Sequence, residues 1–138
     1  MTARPSARLR QQVRRRAGGR CEYCLVHEDD SYVGYQLDHI IARKHGGATT
    51  LSNLALSCML CNRYKGSDVA APDPLTEEIV SLFHPRRQRW QEHFTLQGAV
   101  IVPLSPAGRA TVTLLRLNAP ERVLERGELL RAGRYGLP

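Results

Sequence analysis

Leu9, Val13 and Ala17 recur at four-residue steps in an otherwise polar stretch. With Pro5 suited to a first helical turn, this spacing predicts a helix over about residues 5–17, stopped by Gly18-Gly19. Residues 31–41 are rich in strand formers, and alternation places Tyr35 and Leu37 on one face of a strand running into Asp38-His39. A glycine loop follows, Arg43-Lys44-His45-Gly46-Gly47. Thr50 or Ser52 then caps a short helix carrying Asn53, Leu54 and Leu56. Another helix begins at Cys58, holds Asn62, Arg63 and Lys65, and ends at Gly66. Residues 68–74, with two prolines and two aspartates, read as an irregular connector, and residues 75–83 as either a short helix or a turn into a strand. A hairpin is expected around Gln97-Gly98, between Phe94-Thr95-Leu96 and residues 99–102. Ser105-Pro106 opens a helix to about Leu117, with Ala110, Leu114 and Leu117 on its buried face. Asn118 and Glu121 have the spacing of a capping box for a last helix through about Arg131.

A chain of 138 residues with 42% hydrophobic and 24% charged positions suits one globular domain. No apolar run reaches the roughly 18 residues of a membrane span, and no apolar stretch follows the Arg-rich N-terminus. A soluble, cytoplasmic protein without membrane partners is therefore expected. The formal charge of +7 argues for an acidic partner, most commonly nucleic acid. Residues 1–20 contain seven arginines and no acid, so Arg14 and Arg15 are candidate phosphate contacts or a solvated helix face. No pattern argues for a dimer interface.

The four cysteines form two pairs, Cys21-x-x-Cys24 and Cys58-x-x-Cys61. Two such knuckles read as one tetrahedral structural zinc site, with disulfides or a redox dithiol as the alternatives. Four thiolates leave no open position for water, so this zinc would not be a hydrolytic ion.

The segment between the knuckles carries the groups that phosphodiester hydrolysis needs. His39 is the candidate general base, because its unperturbed pKa lies near neutrality. Asp38 offers a hard oxygen ligand for Mg²⁺ or Mn²⁺, and Asn62, next to the last cysteine, could complete that site with its amide oxygen. Alternatively, Asn62 caps a knuckle. Asn53 either caps a helix or holds the loop backbone and keeps His39 in one orientation. Arg43, Lys44, His45, Arg63 and Lys65 are candidate nucleic-acid contacts, Lys65 alternatively complementing a helix C-terminus.

Taken together, the two Cys-x-x-Cys pairs, residues 37–41 (Leu-Asp-His-Ile-Ile), His45-Gly46-Gly47, Asn53-Leu54, Asn62 and Lys65-Gly66 resemble the HNH endonuclease family over about residues 13–67. The resemblance implies an α+β fold: a ββα-metal core with a four-cysteine zinc site, flanking helices and a C-terminal extension of hairpin plus helices. It also implies that His39 is the base, that Asp38 and Asn62 hold the catalytic cation, and that Asn53 orients loop and base. The family's final histidine is replaced by Asn62, a known variant of the pattern. The expected organisation is a zinc-stapled core over residues 1–67 with residues 68–138 packed on it as one unit. The expected activity is cleavage of DNA, with RNA as a further substrate class. The competing reading is a zinc-dependent nucleic-acid-binding module without catalysis.

Overall fold

The computed structural model describes residues 4–137. Its first helix, α1 (Ala7–Ala17), is capped by the Ser6 hydroxyl, which accepts from Leu9 N, and closed by Gly18 in the left-handed region at φ 63°. Pro5 precedes this cap rather than occupying the first turn. Val13 is fully buried and Leu9 and Ala17 pack beside it, so the apolar seam is the docking face of α1. The first knuckle follows, closed by Cys21 N on Val26 O and Leu25 N on Cys21 O.

Strand β1 (Gln36–His39) pairs antiparallel with β2 (Leu54–Ser57), in the register Asp38 opposite Ala55 and His39 opposite Leu54. Helix α2 (Met59–Lys65) leaves directly from β2 and ends at Gly66. These elements are the ββα-metal core. Two expectations change here. β1 starts at Gln36, where pairing with Ser57 of β2 begins, and residues 31–34 are exposed ahead of it. The helix expected to carry Leu54 and Leu56 is the second strand: only Leu51–Asn53 make a single 3₁₀ turn before it. Leucine and alanine favour helix locally, but every residue of β2 is buried, and pairing with β1 decides the outcome.

Beyond residue 67 the expected connector contains β3 (Ala70–Pro72), paired with β4 (Ile79–Ser81). A short helix, α3 (Trp90–His93), leads into the expected hairpin of β5 (Phe94–Gln97) and β6 (Val100–Pro103). Helix α4 (Pro106–Leu114) is capped by the Ser105 hydroxyl, and α5 (Pro120–Arg131) follows. The capping box at α5 does not form. The Asn118 amide instead grips both backbone groups of Ile101, accepting from its N–H at 2.9 Å and donating to its carbonyl at 2.7 Å.

One hydrophobic core spans both halves, joining Val13, Tyr23, Leu54 and Leu56 to Phe83, Trp90, Phe94, Leu115 and Leu117. The second half also grips the first knuckle through polar groups. Trp90 Nε1 donates to Tyr23 O at 2.9 Å, the Tyr135 hydroxyl donates to Cys24 O at 2.8 Å, and Arg86 pairs with Glu22. Among the described residues no helix is long and apolar enough to cross a membrane.

Candidate active site and metal centre

The two knuckles bring four thiols together: the sulfurs of Cys21, Cys24, Cys58 and Cys61 all lie within 4.8 Å of one another. All four are free, and the Cys24–Cys58 separation of 3.8 Å is far beyond a disulfide bond. Four sulfurs about 2.3 Å from one tetrahedral ion stand roughly 3.8 Å apart, the separation of Cys24 and Cys58 and close to the spread of the whole set. In each pair the second cysteine's N–H points at the first sulfur, at 3.5 Å for Cys21 and 3.4 Å for Cys58, an arrangement suited to thiolates. Cys58 also caps α2, so the metal centre fixes the helix that carries Asn62.

Asp38, His39, Ala42, Arg43, Asn62, Gly66 and Ser67 line one open cavity of about 330 Å³ at the end of β1. Asp38 is buried. Its Oδ2 accepts from the Tyr23 hydroxyl at 2.7 Å, and Lys65 Nζ stands 3.3 Å from each carboxylate oxygen. Burial raises its pKa, with Lys65, Tyr23 and His39 opposing that shift. Burial and the Asp38 charge push the Tyr23 phenol well up, so it remains a donor. A carboxylate offers about four lone-pair positions, so Asp38 retains capacity toward the cavity. Asn62 donates its amide N–H to Gln36 Oε1 at 2.8 Å, and its Oδ1 has no partner among the described residues.

Lys65 requires a correction. Expected to meet the nucleic-acid backbone, it is only 3% exposed, and its ammonium is spent on Asp38 and on the carbonyls of His39 and Ile40 at 3.4 and 3.2 Å. It is an internal counter-ion of the site. Arg14 is partly engaged by Glu28 at 3.2 Å, whereas Arg15, Arg43, Lys44, His45 and Arg63 are exposed at the surface.

His39 Nε2 meets the Thr49 hydroxyl at 2.9 Å. Thr49 was not a candidate from the sequence, where it is one polar residue in a loop. Asn53 does not touch the imidazole. It pins the loop instead, accepting from Ile41 N at 2.9 Å and donating to Ile41 O at 2.9 Å and Ala48 O at 2.8 Å, next to Thr49. Its influence on His39 therefore runs through the backbone that carries Thr49. Burial holds the His39 pKa below the ordinary histidine value, Asp38 opposing and Arg43 and Lys65 reinforcing.

Residues 21–68 match the family model described as HNH endonuclease. This segment is an HNH domain. The HNH segment contains both knuckles, β1, β2 and α2, and with them every group around the cavity. No curated protein and no solved structure matches the chain.

Gly47 sets the tightest packing in the HNH loop. A Cβ there would lie 1.7 Å from Ile41 O and 2.8 Å from Asn53 Nδ2, disrupting the pairing that carries Thr49. Gly47→Ala is expected to cost about 1–3 kcal/mol in urea denaturation, as overpacking forces the loop aside. Wild-type stability would show that the loop yields freely.

Proposed function

We propose that the chain is a divalent-metal-dependent endonuclease hydrolysing DNA phosphodiester bonds, with His39 as general base and Asp38 and Asn62 as ligands of a Mg²⁺ or Mn²⁺ ion. The four cysteines hold zinc as a structural ion, since a sulfur-only set suits zinc and leaves it no open position. The observation that carries the reading is the convergence of Asp38, His39 and Asn62 on one open cavity beside a metal-anchored helix.

The residues divide the work. In the tautomer that donates Nε2–H to the Thr49 hydroxyl, His39 has its lone pair on Nδ1, the atom that would take a proton from water. Asp38 and Asn62 Oδ1 are hard oxygen donors on the wall of the same cavity. A divalent ion held there supplies charge stabilisation to the phosphate and the departing oxygen. Arg43 lies on the rim, and Arg14, Arg15, Lys44, His45 and Arg63 supply further positive charge for the backbone.

One observation favours the second reading, a binding module without cleavage: the Lys65 ammonium already neutralises Asp38. Supercoiled plasmid separates the two. Incubation at low salt in Mg²⁺ or Mn²⁺ is expected to yield nicked or linear DNA, and EDTA to abolish it. A protein that retards DNA in a gel but leaves plasmid, single-stranded DNA and RNA whole under all three conditions is the binding module. Cleavage of RNA alone would reassign the substrate.

A further inference from the structure

Helix α5 turns an unexpected face inward. Arg122 and Arg126 are 6% and 1% exposed, while Leu124 is 66% exposed. A guanidinium taken out of water needs partners for its donors and a counter-charge. Among the described residues Arg126 donates to neutral acceptors, Ala99 O at 2.8 Å, Leu117 O at 2.7 Å and Asn118 Oδ1 at 3.0 Å, and its charge reaches the sulfurs of Cys24 and Cys61 only through space. Arg122 differs. One amino group donates to Leu115 O at 2.8 Å, and the other lies 3.1 Å from Cys61 Sγ and 3.8 Å from Cys58 Sγ. Among the described residues no carboxylate stands within ion-pair distance of Arg122.

Zinc on four thiolates carries a net charge of −2, so the sulfur cluster is the counter-charge that this arginine otherwise lacks. We propose that Arg122 is the counter-cation of the zinc–thiolate centre, a positioning residue that holds zinc in the cluster and ties α5 to the HNH segment. The inference rests on the zinc reading of the four cysteines. An N–H donated to a ligating sulfur and a positive charge beside it both hold the ligand in place and offset the charge of the cluster. The position suits that role. Arg122, Cys24 and Cys58 line one cavity of about 130 Å³, and Cys58 is the one ligand of the four that is not fully buried. The guanidinium thus stands at the side from which a competing ligand would reach the sulfurs. Coupling is reciprocal: if Arg122 retains zinc, zinc retains α5.

Transfer of zinc from the full-length protein to a chromogenic chelator tests this. The comparison is between wild type, Arg122→Gln, Arg122→Lys and Arg126→Gln, the last removing a buried arginine of the same cavity that donates to carbonyl and amide oxygens instead of sulfur. Loss of a partner around a metal ligand typically costs about 10–100-fold in affinity, and Arg122→Gln is expected to release zinc faster by that order, with Arg122→Lys between it and wild type. Release from Arg122→Gln no faster than from wild type or from Arg126→Gln would overturn the proposal, since packing alone would then account for the residue. Cobalt substitution gives a second readout. Removing the charged donor raises the energy of the sulfur electrons, so the thiolate-to-cobalt band should move to longer wavelength in Arg122→Gln and by less in Arg122→Lys, which keeps a cation. An unmoved band in Arg122→Gln, or an Arg122→Lys protein shifted as far as Arg122→Gln, overturns the proposal. A wild-type protein purified without bound zinc would instead sink the zinc reading itself, and its metal content is measured first.

Discussion

A Cys61→Ala chain is expected to lose its folded state, with the near-ultraviolet dichroism and the cooperative melt both abolished. Cys61 is fully buried, its sulfur sits among the other three, and Arg122 donates to it. Structural zinc contributes on the order of 10–16 kcal/mol in peptides of this kind, against a typical net domain stability of about 5–15 kcal/mol. Removing one ligand therefore places the whole fold at risk, and strips a buried guanidinium of charge compensation at the same stroke. A strong chelator should act on the wild type in the same direction, slowly, because three of the four ligands are buried. A Cys61→Ala protein that melts like the wild type would mean that no ion staples the knuckles.

His39→Ala should fail differently. Its ring is only partly buried and, among the described residues, its polar contact is the Thr49 hydroxyl, so the fold should survive and the melt should stay close to wild type. Cleavage should fall by about 10²–10⁴, the usual contribution of a positioned general base. The pH profile carries a sign. Burial, Arg43 and Lys65 lower the His39 pKa against the pull of Asp38, so the base is proton-free at neutral pH. Activity should then be lost as pH falls through a midpoint below the ordinary histidine value of about 6.5. Full activity in His39→Ala would remove the residue from the chemistry. A midpoint above that value would contradict the environment described for it.

The parts of this architecture that depend on short-range signals were legible in the sequence. α1 follows from its four-residue apolar steps and Gly18, α2 from the knuckle and Gly66, and the β5–β6 hairpin from Gln97-Gly98. The metal centre follows from cysteine spacing alone. What escaped was decided by tertiary contact. β2 contains no β-branched residue and is buried throughout, so neither propensity nor alternation marks it as a strand. β3 and β4 stabilise each other across a turn that looks irregular when read alone. Lys65 reads as a surface cation because its partner Asp38 lies on another element. Thr49 reaches His39 only once Asn53 has fixed the loop between them. Arg122 and Arg126 escaped for the plainest reason: arginine is rarely buried, and the carbonyls and sulfurs that receive these two come from elsewhere in the fold.

The hold of the second half on the first knuckle has a practical side. The family match ends at residue 68, but the fold has no seam there. A fragment cut at that point would lose the donors to the Tyr23 and Cys24 carbonyls, the arginine on Glu22, and the aromatic cluster of Phe83, Trp90 and Phe94, whose Phe83 ring stands edge-on to Tyr23. Excised and grafted onto another protein, the HNH segment is therefore expected not to keep its fold. A chimaera built from it should need the second half along, and a minimal folded unit is better sought by trimming surface loops than by cutting from the C-terminus.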